Sequence, residues 1–92
     1  MKPTNCWHVY LIECRDGSLY TGIAVDVAAR YAMHVAGKGA KYTRSHPPAQ
    51  LLGYCTCPDR STASRVEYQV KQLSPVRKRE LCNMWLQEQA KA

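Results

Sequence analysis

The chain has 92 residues and carries 13 lysines and arginines against 7 acidic residues, which gives a formal net charge of +6. With 46% hydrophobic residues it can bury one modest core, so two-domain enzymes, Rossmann-type dehydrogenases and large barrels are excluded. We therefore expect a single domain over residues 1–92, with a core from about 7 to 82 and a C-terminal helix to about residue 90.

Two features of the sequence bear on cellular location. No apolar run approaches the ~18 residues of a membrane span, and no apolar segment of a secretion signal follows Lys2. The cysteine count is odd, which argues against a disulfide framework and for reduced thiols at Cys6, Cys14, Cys55, Cys57 and Cys82. These features predict a cytoplasmic protein that does not contact membranes.

The first elements along the chain predict a β-hairpin. Residues 7–14 are rich in aromatic and branched side chains, and residues 19–24 read as the returning strand. Between them, Asp16-Gly17 is a strong turn signal, because glycine accepts the positive φ of a tight turn. Tyr10 and Tyr20 lie on opposite arms of this hairpin, so we expect their side chains to project near one another.

A helix is predicted over residues 27–36. Asp26 is a suitable N-cap, and Gly37 is a natural residue at which the helix ends. Arg30 and His34 are spaced i and i+4, so they share one face of this helix.

Residues 37–48 predict a flexible basic loop, because glycines open it and the pair Pro47-Pro48 excludes helix at its end. The wider stretch 30–48 contains four bases and no carboxylate; the bases are Arg30, Lys38, Lys41 and Arg44. Such a stretch suits a polyanion such as a phosphate backbone. On charge alone, a solvated basic loop is an equally good interpretation.

The remaining elements complete an α+β fold. Residues 50–56 predict a third strand, and Asp59 or Ser61 caps a second helix that runs to about Leu73. Ser74-Pro75 begins a third helix, whose buried side we expect from Leu81, Met84 and Trp85. The order β-β-α-β-α-α predicts a three-stranded sheet, built from the hairpin and a third strand, flanked by helices.

No familiar hydrolase or nucleotide-binding motif occurs in the sequence. What remains is a set of polar residues that converge if the hairpin packs on the first helix: Tyr10, Tyr20, Arg30, His34 and Glu67. Glu67 is a hard oxygen ligand for Mg²⁺ or Mn²⁺, and Arg30 offers a permanently charged fork to a phosphate. His34 or a tyrosinate could serve as a base.

Each member of this set also has an ordinary structural interpretation. Tyr10 and Tyr20 are typical strand aromatics, and a helix face such as that of Arg30 is usually solvated. Glu67 with Lys71 is ordinarily a surface ion pair worth a few tenths of a kcal/mol. The spacing alone therefore does not identify a catalytic site.

Two tyrosine motifs and an arginine stand in a recognisable order. The first motif falls on His8-Val9-Tyr10, and the second falls on Tyr20-Thr21-Gly22 after the short turn. Arg30 follows Tyr20 by ten residues, and His34 lies one helical turn later. These residues resemble the motifs and the helical arginine of the GIY-YIG nuclease family.

Two further stretches extend the similarity to the small stand-alone members of that family. They are the loop over residues 37–44 and the helix over residues 59–74, which carries Glu67. The resemblance runs from about Trp7 to Cys82, nearly the whole chain. It is specific because the two tyrosine motifs, the arginine, the loop and the glutamate occur together and in order.

The resemblance implies an endonuclease that hydrolyses DNA phosphodiester bonds with one divalent ion, Mg²⁺ or Mn²⁺, in DNA repair or recombination. Glu67 would hold the metal, and Arg30 would bind or polarise the scissile phosphate. Tyr10 and Tyr20 would orient or deprotonate the attacking water with the assistance of His34. The phosphates of DNA would contact two basic groups, residues Lys38, Lys41 and Arg44 and residues Arg77, Lys78 and Arg79.

Two departures from the family pattern keep other functions open. Many active members have a lysine shortly after the second motif, where this chain has Ile23, and an asparagine on the last helix, where it has Arg79 and, one turn later, Asn83. One alternative is a nucleic-acid-binding module of the same fold with weak or no catalysis. Another is an interaction domain whose basic face binds an acidic protein. Because no second DNA-binding domain is present, a nuclease of this size would need a partner protein for targeting.

Overall fold

The computed structural model describes residues 6–91, and for Lys91 the backbone alone, so residues 1–5 and 92 of the expected domain lie outside the described part. The elements, in chain order, are β1 (Trp7–Cys14), β2 (Leu19–Ala24), α1 (Val27–Val35), α2 (Lys41–Ser45), β3 (Pro48–Cys57), α3 (Arg60–Lys71) and α4 (Pro75–Lys91). The expected α+β class is confirmed, with one more helix than the sequence predicted.

The turn between β1 and β2 forms as the sequence indicates. Gly17 has a φ of 86°, a value that favours glycine. Asp16 Oδ1 accepts hydrogen bonds from the amide of Ser18 at 3.0 Å and from its hydroxyl at 2.6 Å, and these bonds close the turn. The helix after the hairpin also ends as expected, with Gly37 at a φ of 78°.

The sheet has the strand order β2-β1-β3, and both strand pairs are antiparallel. In the β1–β2 register Tyr10 is opposite Gly22, and Tyr20 is opposite Ile12. Because side chains alternate between the faces of a strand, Tyr10 and Tyr20 lie on the same face of the sheet. The predicted proximity of the two tyrosines follows from this register.

Alternation along β1 also supplies two hydrophobic cores. Val9 and Leu11 are fully buried against the layer formed by α3 and α4, which contributes Ala63, Val70, Cys82 and Trp85. Tyr10 and Ile12 point to the other face, where α1 covers them. The candidate site therefore lies on the α1 face, while α3 and α4 support the sheet from behind.

The expectation of a loop without helix over residues 37–48 is wrong. Residues Lys41–Ser45 form α2, and Pro48 is the first residue of β3. A proline excludes helix at its own position and in the turn just before it, but not further upstream. Pro47 and Pro48 therefore prevent α2 from continuing beyond Ser45 and do not prevent it from forming. Thr43 anchors this helix to the protein, because its side chain is buried and only 1% exposed.

The buried side of α4 differs from the expectation in one residue. Trp85 is buried and Leu81 is half-buried, but Met84 is 55% exposed. Cys82 is buried in its place and packs on β3, where its Sγ would be 3.5 Å from a Cβ added to Gly53. No helix within residues 6–91 is long and apolar enough to cross a membrane.

All five cysteines are free thiols. Burial raises the pKa of Cys55 and that of Cys82 to about 11, so both remain protonated near neutral pH. Their surroundings are those of packed core residues and not of reactive nucleophiles.

Candidate active site

The site is built around Tyr10, whose ring lies across the neighbouring strand β2. Its side chain is 1% exposed, and it passes directly over Gly22. A Cβ on Gly22 would overlap the Tyr10 hydroxyl and stand 2.6 Å from its Cζ. Gly22 does not have a positive φ, so the glycine is required for space and not for backbone conformation. The last residue of the second motif is thus explained by packing against the first.

Tyr20 and His34 surround the hydroxyl end of Tyr10. The ring centroids of Tyr10 and Tyr20 are 6.4 Å apart, and those of Tyr20 and His34 are 5.2 Å apart. His34 Nε2 lies 2.9 Å from the Tyr10 hydroxyl oxygen in a buried hydrogen bond. The hairpin and α1 therefore bring these three sequence-predicted residues together.

His34 is held on its other side by α2. Its Nδ1 lies 2.6 Å from Thr43 Oγ1, and the Thr43 hydroxyl donates to the carbonyl of Ala40 at 3.0 Å. Because the Thr43 hydroxyl already donates its proton to the Ala40 carbonyl, Oγ1 is the acceptor in the bond with His34, and Nδ1–H of His34 is the donor. Nε2 is then free to accept the hydrogen bond from Tyr10. With Nδ1 protonated, the Ala40 amide at 3.4 Å makes no hydrogen bond to this nitrogen.

The approach of α2 to His34 depends on Gly39. A Cβ at this position would stand 2.8 Å from Cγ of His34 and overlap the ring. Neither Gly39 nor Thr43 was identified from the sequence as a site residue. Both lie in the stretch 37–44 that extends the family resemblance, but that similarity assigned neither of them a role.

A stack of aromatic rings also went unidentified. Tyr42 on α2 stacks on Tyr20 with centroids 5.9 Å apart and on His46 with centroids 4.1 Å apart. His46 Nδ1 lies 2.6 Å from Asp16 Oδ2 in the hairpin turn. The stack ties α2 to the hairpin and covers one side of Tyr20.

Burial and nearby charges keep Tyr10 and His34 neutral. Burial, reinforced by Tyr20, raises the pKa of Tyr10 to about 12, although the nearby guanidinium of Arg30 acts to lower it. Burial, with a smaller contribution from Arg30, lowers the pKa of His34 from its ordinary value. Arg30 alone therefore does not make Tyr10 an ionised base near neutral pH.

The lowered pKa of His34 predicts a loss of stability in mild acid. Below about pH 6.5 the unfolded chain binds a proton at this residue that the folded protein resists, so the free energy of unfolding falls as the pH falls. The slope contributed by one such group is up to about 1.4 kcal/mol per pH unit. Urea denaturation between pH 7.5 and 5.5 measures it.

The control for this prediction is His34→Gln, which retains a polar side chain that does not titrate. The difference in unfolding free energy between the wild type and this variant should shrink as the pH falls through the window. A constant difference would show that His34 does not carry the pH dependence.

Glu67 lies on α3, the helix that packs on the other face of the sheet from α1. Its side chain is 22% exposed, and its Oε2 lies 3.5 Å from Lys71 Nζ, so the expected surface ion pair exists. The charge of Glu67 is also among the groups that raise the pKa of Tyr10, which places its carboxylate in the same electrostatic environment.

The donor set around Glu67 suits one kind of metal. Within residues 6–91 no three histidine, cysteine, aspartate or glutamate side chains are grouped so that they could hold an ion. A single carboxylate fits Mg²⁺ or Mn²⁺, because Mg²⁺ keeps several waters and shares substrate phosphate oxygens. The same set does not fit a structural zinc site, which needs four protein ligands.

The first group of predicted DNA-contacting residues flanks His34. Lys38 follows the end of α1, and Lys41 and Arg44 lie on α2; all three are exposed. Because Thr43 fixes α2 against His34, these three bases stand beside the tyrosines. That these residues contact DNA stays a prediction.

The second predicted group does not form one exposed patch. Arg77 is exposed, but Lys78 is half-buried, and its pKa is lowered by burial and by the charge of Lys71. Arg79 makes an ion pair with Glu13 at 2.8 Å and donates to the carbonyl of Gly17 at 3.4 Å. Arg79 is thus engaged with the hairpin.

The chain is similar to a known protein family and to curated relatives. The sequence model of the family described as the GIY-YIG catalytic domain matches residues 6–80 of this chain. A UPF0213 protein of Cupriavidus necator is 46% identical over 82 residues, which cover 89% of each chain, and one of Cupriavidus pinatubonensis is 50% identical over 82 residues, covering 89% of this chain and 91% of its own.

A solved structure shows the same fold. The solution NMR structure of the UPF0213 protein BH0048 from Bacillus halodurans superimposes with a TM-score of 0.53 at 44% identity, covering 86% of this chain and 84% of the other. The matched region contains both tyrosine motifs, Arg30 and Glu67, and so the chain belongs to the GIY-YIG family, among small proteins similar to the UPF0213 group.

Proposed function

We propose that the protein is a metal-dependent endonuclease that hydrolyses DNA phosphodiester bonds. The observation that carries this proposal is the convergence of Tyr10, Tyr20 and His34 with the charges of Arg30 and Glu67 around one buried hydroxyl. Phosphodiester hydrolysis requires groups that position a phosphate, take a proton from water and stabilise the charge that develops. This set provides all three.

Arg30 binds the scissile phosphate in this proposal. Its guanidinium is permanently charged and presents a planar fork that matches two phosphate oxygens. Its charge already acts on Tyr10 by opposing the rise in the pKa of that hydroxyl, so a phosphate held by Arg30 would lie beside the tyrosine.

Tyr10 and His34 orient the attacking water and move its proton. Because Tyr10 is neutral, its hydroxyl donates to His34 Nε2 while its oxygen accepts from the water. As the oxygen takes the proton from the water, the original hydroxyl proton passes to Nε2, so Tyr10 need not ionise beforehand. Tyr20 forms one wall of this space and is itself held by Tyr42.

Glu67 holds the divalent ion in this proposal. When bound, Mg²⁺ or Mn²⁺ supplies positive charge that stabilises the phosphate oxygens as negative charge develops. The Nζ of Lys71 lies 3.5 Å from the Glu67 carboxylate, so Lys71 competes with the divalent ion for this group.

DNA is held mainly by the bases on and before α2, namely Lys38, Lys41 and Arg44. Their exposure and their position beside His34 support this role, as does the net charge of +6. Arg77 and Lys78 extend the surface, and Arg79 contributes less because Glu13 already neutralises it.

A DNA-binding module with weak or no catalysis is the second candidate. Ile23 stands where many family members have lysine, and it packs against the core under α3 and α4. Arg79 does not replace a catalytic group on the last helix, because its guanidinium is paired with Glu13. These two observations favour slow turnover or dependence on a partner protein.

The test is an assay of the whole protein on single-stranded, duplex and branched DNA, each with Mg²⁺, Mn²⁺ or EDTA. We expect strand cleavage with either metal and none in EDTA, and binding that weakens steeply as salt is added. Binding without cleavage on every substrate would favour the second candidate. Cleavage that persists in EDTA would contradict the metal site.

The cellular setting follows from the proposed activity. We propose a single catalytic domain that acts in the cytoplasm in DNA repair or recombination. We propose that target choice comes from the structure of the DNA or from a partner protein.

A further inference from the structure

A second cleft lies on the same sheet face as the candidate active site, between the first turn of α1 and strand β3. Its volume is about 510 Å³, and it is lined by His8, Val25, Asp26, Val27, Leu51 and Tyr54. None of these residues belongs to the proposed catalytic set. The volume is sufficient for a ligand the size of a nucleotide.

Two aromatic rings belong to the lining of the cleft. The rings of His8 and Tyr54 meet edge to face with centroids 5.4 Å apart. His8 Nδ1 lies 3.3 Å from the carbonyl oxygen of Ala24, and this contact fixes the orientation of the imidazole. Rigid, partly exposed aromatic surfaces of this kind stack on flat heteroaromatic rings.

The polar group of the cleft indicates which flat ring it would take. Asp26 uses Oδ1 to accept from the amide of Ala29 at 3.0 Å, and a carboxylate has capacity for further donors. The lining contains an acidic side chain and neither lysine nor arginine. The cleft therefore favours an uncharged ring with N–H donors and disfavours phosphate.

The position of the cleft relates it to the proposed reaction. Tyr54 is the β3 partner of Tyr10 in the sheet register, so the two side chains leave adjacent strands on the same face. Neighbouring strands are only ~4.8 Å apart. The cleft and the candidate site therefore share one face of the sheet, and a DNA strand held at Tyr10 and Arg30 would reach the cleft around the connection between β2 and α1.

We propose that this cleft binds an unpaired nucleobase of the DNA strand held at the active site and so selects single-stranded or unpaired DNA. The inference rests on the proposed function, because it names the substrate class of that site. A base stacked and paired inside a duplex cannot present its face to His8 and Tyr54, whereas an unpaired base can.

The test measures binding in EDTA, where the result does not depend on cleavage. Tyr54→Leu should weaken binding of a single-stranded oligonucleotide about 5- to 100-fold, the range for loss of one stacked base, with little change for duplex DNA. Tyr68→Leu is the matched control, because Tyr68 is 68% exposed on α3 and should change neither affinity. Equal affinities of Tyr54→Leu and wild type for single strands would overturn the proposal.

A second measurement keeps the proposal falsifiable if Tyr54→Leu does not fold. In NMR titrations, 2′-deoxycytidine or 2′-deoxyadenosine should shift the amide signals of His8, Asp26 and Tyr54, and 2′-deoxyribose alone should not. Shifts with a lysine-containing peptide and none with nucleosides would assign the cleft to a protein ligand and overturn the proposal.

The two proposals can fail separately. The protein could bind single strands in a way that depends on Tyr54 and yet never cleave DNA. That result would support the nucleobase cleft and reject the nuclease. Cleavage with the same affinity for single strands in wild type and Tyr54→Leu would retain the nuclease and reject the cleft.

Discussion

Replacing Gly22 with alanine is expected to reduce DNA cleavage ~100-fold and to destabilise the fold. The added Cβ would overlap the Tyr10 hydroxyl and stand 2.6 Å from Cζ, and the buried ring has little space into which it can move. Overpacking of this kind costs about 1–3 kcal/mol, and losing the Tyr10–His34 hydrogen bond costs about 1 kcal/mol more. A displacement of the hydroxyl by ~1 Å is enough to reduce cleavage ~100-fold.

Gly53→Ala is the matched control for this variant. Gly53 is also a buried strand glycine, but its added Cβ would meet Cys82 Sγ at an ordinary 3.5 Å. Denaturation and single-turnover cleavage should therefore change strongly for Gly22→Ala and little for Gly53→Ala. In a Tyr10→Leu background, Gly22→Ala should cost much less stability. The same cost in both backgrounds would show that Tyr10 is not what the glycine accommodates.

Replacing Arg30 with alanine is expected to reduce cleavage ~100- to 1,000-fold, the usual effect of removing one group that stabilises transition-state charge. Arg30 is half-buried beside Tyr10, and its fork is the part of the set suited to a phosphate. Arg30→Lys keeps the charge and loses the fork, so its activity should fall between those of wild type and alanine. Single-turnover rates at saturating DNA measure the effect.

The control for Arg30 is Arg65→Ala. Arg65 is exposed on α3 and makes only local hydrogen bonds to Ser61 and Thr62. We expect this variant to cleave DNA normally, and we expect both alanine variants to melt within a few degrees of the wild type. A large drop in melting temperature for Arg30→Ala would show that the arginine is structural.

The elements predicted correctly are those with local signals. The Asp16-Gly17 turn closes through the side chain of Asp16, and α1 begins at the Asp26 cap and ends before Gly37. In each case the determining contacts join residues within four positions, so they can be inferred from adjacent residue types.

The short helix α2 could not be inferred in this way. It is held by the Thr43–His34 hydrogen bond and by stacking of Tyr42 on Tyr20, contacts that exist only after the hairpin and α1 have packed. The same reason explains why Gly39 was interpreted as a flexible residue: the ring it accommodates, His34, lies five positions earlier on another element.

The residues of the candidate site could be predicted from the sequence, but their protonation states could not. The resemblance implied that Tyr10 or Tyr20 orients or deprotonates the attacking water, yet burial and Tyr20 outweigh the charge of Arg30 and raise the pKa of Tyr10 to about 12. The balance depends on how much solvent α1 and α2 remove from the hydroxyl, which is a tertiary property. It changes the proposed role of Tyr10 from a preformed base to a neutral hydroxyl paired with His34.

The measurement that tests the proposed nuclease most directly is the rate of DNA strand cleavage as Mg²⁺ is raised from zero, for wild type and for Glu67→Gln. The substitution preserves the size of the side chain and its place on α3, and it removes the charge that a cation requires. We predict a rate that saturates with Mg²⁺ for wild type and less than ~1% of that rate for the variant, a loss similar to that of other groups that stabilise charge. Equal cleavage by the two proteins, or full cleavage by wild type without a divalent ion, would contradict the account.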